Sequence, residues 1–304
     1  VWYNSTSGTF KTVLAVGAWA SGGALNTARG QATGSGTQTD GLMAGGYTTT
    51  AVGTTEEYNG SGWTSGGSLG TARYLLGGGG PSTAGLAFGG YVSPNRKNET
   101  EEYNGTSWSE QNNLNTARGW IQGTGTQTAG LCVTGSVGGS PPATTAVEEY
   151  NGTSWTTVNT YPAERFHMSA TGSQTAALAA GGRTGPSGNS LTTNAVYDGT
   201  NWTAGGTMNV ARQQNASSGI DTAALVFAGM VGNSPYSRAN TSESYDGTSF
   251  STAATLATAR NVLSGSVNGS NTSALAFGGE EPALSNKTEE FNYSIYSPIA
   301  ATWA

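Results

Sequence analysis

Thr71-Ala-Arg73, then Leu86-Ala-Phe-Gly-Gly90, then Glu101-Glu-Tyr103-Asn-Gly-Thr-Ser-Trp108: this ordered set of landmarks decides how the chain reads. The arginine recurs as Arg29, Arg73, Arg118, Arg165, Arg212 and Arg260, at successive spacings of 44, 45, 47, 47 and 48 residues. The apolar run that closes on glycine recurs at Leu42, Leu86, Leu131, Leu178, Leu225 and Leu275. The aromatic pair recurs as Tyr58/Trp63, Tyr103/Trp108, Tyr150/Trp155, Tyr197/Trp202 and Tyr245/Phe250, with Phe291 the sixth of the Tyr series. A repeat of about 46 residues holding several short strands reads as one blade of a β-propeller.

The layout inside a repeat follows from residue type. After each arginine comes a small-residue stretch such as Gly30–Gly36, suited to an innermost strand where neighbouring blades crowd. A turn leads to the apolar second strand, whose closing Gly pair permits a positive φ or close backbone approach. A loop of variable length precedes the third strand, which carries the tyrosine. Asn-Gly or Asp-Gly at 59–60, 104–105, 151–152, 198–199 and 246–247 then marks a tight hairpin into the Trp strand.

The order arginine, apolar run with Gly-Gly, Tyr, then Trp resembles the Kelch repeat over residues 19–291. The Glu-Glu-Tyr-Asn-Gly-Thr-Ser-Trp wording is similar to Kelch-like proteins of marine bacteriophages, and Val1–Lys11 to hairpins of phage fibre proteins. The resemblance implies an all-β fold: a six-bladed Kelch-type β-propeller of four-stranded antiparallel blades. Trp19 precedes Arg29 by the same ten residues that separate Trp63 from Arg73. The Trp19 strand is therefore expected to close the ring as the fourth strand of the blade carrying Phe291; the competing expectation gives that place to Trp303. Residues 1–18 are then an N-terminal hairpin or connector, 19–291 the propeller and 292–304 a C-terminal tail. The chain opens at Val1 with neither an initiator Met nor a signal peptide, which suggests a processed chain or a segment of something longer.

Composition narrows the function. Gly is abundant, at 48 of 304 residues, but without a Gly-X-Y period, which excludes collagen. Charged residues make up only 10% and the net charge is −6, so a basic stripe for nucleic acid is missing. No apolar run approaches the ~18 residues of a membrane span. One cysteine, Cys132, permits neither an intrachain disulfide nor a cysteine zinc cluster. One histidine, His167, is too few for the sites that Kelch-type copper oxidases build from Cys, Tyr and His. No catalytic residue, metal ligand or cofactor is assigned, and the chain reads as a non-enzyme.

Nine of the fourteen glutamates occupy the two slots before Tyr or Phe. A catalytic carboxylate pair should be singular, so this repetition favours architecture. Each repeat arginine is expected to pair with the Glu two residues before the aromatic: Glu56, Glu101, Glu148, Glu243 or Glu289. Ala195 breaks the pattern in the fourth repeat and leaves Arg165, or a neighbouring-blade arginine, without a carboxylate.

Variation between repeats points to one loop-bearing face, where a constant scaffold presents variable side chains. Just after the arginines stand Tyr74, Trp120, Phe166, His167 and Gln213. The loops after the Gly pairs supply Tyr91, Arg96, Arg183, Tyr236 and Arg238. Aromatics beside amides suit stacking on carbohydrate. The expected function is a binding module of a virion or extracellular assembly, presenting these loops for host-surface or glycan adhesion, with other virion or fibre subunits as partners. The alternatives are a purely structural fibre or decoration subunit and a secreted glycan-active enzyme.

Overall fold

A computed structural model describes residues 2–4, 9–12, 15–138, 143–185, 188–232, 235–295 and 299–301. The fold is all-β and propeller-like: six of its sheets are four-stranded, antiparallel and built alike. Sheet one comprises Thr33–Gly36, Gly41–Ala44, Thr55–Tyr58 and Trp63–Gly66. The corresponding first strands of sheets two to six are Gly77–Gly79, Gln122–Thr126, Phe166–Ser173, Ala216–Ile220 and Ser264–Gly265. Their small residues let the backbones crowd: a Cβ on Gly77, Gly123 or Gly34 meets a Phe ring of its own or a neighbouring sheet within 3 Å.

First strands touch from each sheet to the next, and sheet six touches sheet one. The same order is written in backbone hydrogen bonds between residues two places after the arginines. Leu75 N donates to Gln31 O, Gln214 N to His167 O, Val262 N to Gln214 O, and Gln31 N to Val262 O. Sheet six takes its fourth strand from the other end of the chain. Ala15–Ser21 pairs along Thr288–Ile295, with Trp19 opposite Phe291. The Trp19 ring lies 5.3 Å from Phe291 and 5.0 Å from Phe227 of sheet five. Trp303 lies outside the described residues. A separate three-stranded sheet joins Trp2–Asn4, Thr9–Thr12 and Ile299–Ala301.

The repeated residues hold the sheets. Arg29, Arg73, Arg118, Arg212 and Arg260 are fully buried and pair with Glu56, Glu101, Glu148, Glu243 and Glu289 respectively. Arg165 has no carboxylate partner among the described residues; its guanidinium donates to Gly181 O. The neighbouring glutamates work across the seams between sheets. Glu290, Glu57, Glu102 and Glu149 accept the hydroxyls of Tyr58, Tyr103, Tyr150 and Tyr197, each from the next sheet. Burial and the adjacent carboxylate push the Tyr58 and Tyr103 phenols up to about 12. The indoles do likewise: Trp63, Trp108, Trp155 and Trp19 donate to Thr288, Thr55, Thr100 and Ser242. Val147 occupies that slot opposite Trp202, and Trp202 Nε1 is buried without a partner among the described residues. The tyrosines are buried throughout, as are Trp63, Trp155 and Phe250, but Trp108 and Trp202 are only half-buried.

Candidate binding face

The candidate site starts from a backbone oddity. Six non-glycine residues, each two places after a repeat arginine, adopt left-handed φ: Gln31 (59°), Leu75 (58°), Trp120 (52°), His167 (61°), Gln214 (54°) and Val262 (47°). Such φ values are uncommon outside Gly, Asn and Asp, and for a β-branched valine a genuine outlier. The inter-sheet hydrogen bonds above stabilise this turn at Gln31, Leu75, Gln214 and Val262, and in every repeat it places one side chain in the lining of a common centre. The six side chains, with Tyr47 and Tyr74, line a solvent-open bowl of about 740 Å³. Below it lie spaces of about 430 and 410 Å³, lined in turn by residues of all six repeats down to Val267.

The far end is closed by sheet six. Five repeats place their run leucine 13 residues after the arginine, but Leu275 follows Arg260 by 15. The extra length carries Ser266–Asn268 across the centre. Asn268 N donates to Gly36 O, Asn268 Nδ2 to Gly125 O, and Asn268 Oδ1 accepts from Gly80 N. Val267 O accepts from Thr171 Oγ1, and Ser266 O from Ser218 Oγ. One short segment thus bonds to all five other sheets and makes the cavity blind.

Around the mouth runs a continuous arc of rings. Tyr47 contacts Tyr74 at 5.1 Å, Tyr74 meets Tyr91 edge-on at 5.4 Å, and Tyr91 stacks on Trp120 at 6.0 Å. Trp120 continues to Phe166 at 6.2 Å and His167 at 5.7 Å. Arg96 sits 5.3 Å from both the Tyr91 and Trp120 rings, and Arg183 4.9 Å from Phe166, in cation–π contact. The half of the face formed by sheets five and six differs. There Arg238 pairs with Glu280 and bonds Asn261, and Tyr236 donates to Gly188 O.

Of the ten sequence candidates, the structure brings together Tyr74, Tyr91, Arg96, Trp120, Phe166, His167 and Arg183. Tyr236 and Arg238 lie on the face but not in the bowl lining. Phe166 and Gln213 lie on this face with only 1% of their surface exposed, and His167 with 7%. The position after the arginine bridges to the post-Gly loop or packs inward, whereas the next position faces the centre. Sequence reading mixed the two registers and so missed Gln31, Leu75, Gln214, Val262 and, in the first post-Gly loop, Tyr47. The signal was available as a constant offset of two from each arginine.

His167 is the buried titratable group of this face. Desolvation, aided by the positive charge of Arg183, depresses its imidazole to about 3 from an ordinary 6.5. Its Nδ1 lies 3.4 Å from Gln213 Oε1 and 3.3 Å from Gln214 Nε2, while Nε2 is buried without a partner among the described residues. Because the unfolded chain binds the proton more readily, this contribution to stability is present above pH 6.5 and lost as pH falls toward 3. At pH 5.5 the loss should reach about 1.4 kcal/mol relative to neutral pH. His167→Asn keeps a residue tolerant of the left-handed backbone and should flatten the denaturation free energy between pH 7.5 and 5.5. Equal pH slopes for parent and variant in urea melts would show that His167 titrates freely.

Cys132, in the second strand of sheet three, is fully buried, and desolvation pushes its thiol up to about 12, which leaves it unreactive. Among the described residues, no three of His, Cys, Asp and Glu gather as metal ligands. In comparisons with known proteins, no family model and no curated protein matches the chain.

Proposed function

We propose that the chain is a closed six-bladed propeller of Kelch type that serves as a non-enzymatic binding module, offering its ring-lined bowl to carbohydrate. Blade number and closure are supported by the six like sheets, the contact of sheet six with sheet one, and the Trp19–Phe291 register. The carbohydrate reading is carried by one observation: a continuous aromatic arc borders an open bowl whose own lining holds amides, phenols and imidazole but no formal charge. Aromatic faces stack on the C–H faces of sugars, and amide side chains serve their hydroxyls. A virion or extracellular setting, with adhesion to a host surface and attachment to fibre subunits, rests on the repeat wording.

The test is a glycan array probed with the parent protein and with Trp120→Ala. The parent should bind a restricted set of glycans. The variant should lose at least tenfold in affinity, about 1.4 kcal/mol, with an unchanged melting temperature. An array on which the folded parent binds nothing would leave the structural-subunit alternative in its place.

A further inference from the structure

Four Asn-Gly steps occur in the chain, and the fold treats them in two ways. Asn59, Asn104 and Asn151 open the hairpin turns between the third and fourth strands of sheets one to three, and all three are exposed. Asn268 lies in the segment that floors the cavity and is half-buried. An asparagine side chain before glycine is open to attack by the next backbone nitrogen, because glycine has no Cβ to crowd the approach. Asn59-Gly-Ser61 and Asn268-Gly-Ser270 are the same tripeptide, so local sequence alone gives them like rates.

Three atoms separate the two groups: the oxygen that takes up charge, the nitrogen that leaves and the nitrogen that attacks. Ser61 N and Gly62 N both donate to Asn59 Oδ1 at 3.0 Å. Thr106 N and Ser107 N donate to Asn104 Oδ1 at 3.0 and 2.9 Å, and Thr153 N and Ser154 N to Asn151 Oδ1 at 2.9 and 2.8 Å. Paired amide donors at such distances form an oxyanion hole for the charge that develops on Oδ1 when Cγ is attacked. The three Nδ2 groups, and the nitrogens of Gly60, Gly105 and Gly152, have no hydrogen-bond partner among the described residues. At the floor all of this is reversed. Gly269 N donates to Ser266 O at 2.8 Å, Asn268 Nδ2 donates to Gly125 O at 3.0 Å, and Asn268 Oδ1 accepts a single amide, Gly80 N.

Two further turns show the fold around the reaction product. Asp198 and Asp246 fill the same slot in sheets four and five, and each Oδ1 accepts the corresponding pair of amides at 2.6–2.8 Å. Those backbone bonds hold both carboxyls below their ordinary value.

We propose that Asn59, Asn104 and Asn151 are built-in sites of spontaneous deamidation, promoted by the turn's own paired amides, and that the fold spares Asn268. The glycine nitrogen gives up its proton to water and attacks Cγ. The new C–N bond closes a succinimide, and the Cγ–Nδ2 bond breaks with loss of ammonia. Water then opens the ring to aspartate or isoaspartate, and nothing is oxidised or reduced. Each event adds one negative charge to a chain of net charge −6. The turns sit beside the loops that join first and second strands, at the floor end of the cavity, away from the bowl lining.

The experiment holds the full chain folded in mildly alkaline buffer and, in parallel, unfolded in guanidinium. Peptide mapping by mass spectrometry follows the one-dalton gain at each Asn-Gly step. Unfolded, all four sites should convert alike. Folded, the three turn sites should convert at least as fast as they do unfolded, and Asn268 at least about tenfold more slowly than it does unfolded, since it must wait for local opening. The triple variant Asn59→Asp, Asn104→Asp, Asn151→Asp should fold and melt as the parent does. Turn sites that slow down on folding would overturn the role of the paired amides. An Asn268 that converts alongside Asn59 in the folded chain would overturn its protection, and a triple variant that fails to fold would show that these turns do not accept the product.

Discussion

Removing residues 1–21 should cost the protein its cooperative fold, whereas most single substitutions should not. The cut deletes Ala15–Ser21, which pairs over its whole length with the third strand of sheet six. It removes the Trp19 ring from Phe227 and Phe291, and its Nε1 from Ser242 Oγ and Ala254 O. An indole of this kind buries ~150–250 Å², worth several kcal/mol at ~25 cal/mol per Å² before entropy. The cut also bares the edge of an eight-residue strand, and such an edge is a template for association. The expected result is a soluble yield that collapses, or oligomers by size-exclusion chromatography with a broad melt. A rearranged chain restores the strand in cis: it begins at Gly22 and joins Ile295 to Ala15 through Asn-Gly. These residues are register partners, so a two-residue hairpin fits. That chain should melt cooperatively as a monomer. A truncated protein that stays monomeric and melts within 3 °C of the parent, by the few-degrees-per-kcal scale of such domains, would refute the closing role.

Glu148→Gln should destabilise by about 3–5 kcal/mol, the usual cost of stranding one buried charge. The Arg118 guanidinium is fully buried, bonding Glu148 Oε1 at 2.6 Å and the carbonyls of Ala146 and Thr134 at 2.7 and 3.1 Å. Glu148 Oε2 also accepts Asn115 N at 2.7 Å, and Asn115 Nδ2 reaches Trp155 O across the same turn. The carboxylate therefore ties the loop entering sheet three to that sheet's third strand. Arg118→Met with Glu148→Leu should lose clearly less than Glu148→Gln alone, because no charge is stranded. Sheet four shows how an unpaired arginine is accommodated. Arg165 is 8% exposed against 0% for the other five, and burial lowers its pKa below the ordinary arginine value. Urea denaturation of the single and double variants measures the coupling. A single variant within 1 kcal/mol of the parent would show that the pair adds nothing to stability.

The ion-pair ladder was legible in the sequence because its two partners sit in repeated slots with residue types that have few other uses when buried. The exception was legible for the same reason: Ala195 stands where five repeats have Glu. The strand order and the all-β class followed from landmark order, which records local structure directly. Trp19 opposite Phe291 could also be inferred, since its ten-residue step to Arg29 repeats the step found inside the array.

The binding face was only half legible. Nothing about Gln, Leu, Trp, His or Val asks for a left-handed backbone, so the six residues that line the bowl carry no local mark of it. In Gln31, Leu75, Gln214 and Val262 the conformation is held by a hydrogen bond to the same position in the preceding repeat, a contact between residues more than forty apart. The seam bonds from tyrosine to glutamate are likewise interactions between sheets, invisible while each repeat is read alone. The two-residue excess between Arg260 and Leu275 was present in the sequence, but length alone does not give a direction. Whether it bulges outward or crosses the centre is decided by which unpaired groups it can reach. Here the glycine ends of the other first strands offer their amide donors and carbonyl acceptors to Asn268. Sequence therefore determined the strands, their order and the charges that pin them; packing the repeats against one another determined which side chains face the centre and that the cavity has a floor.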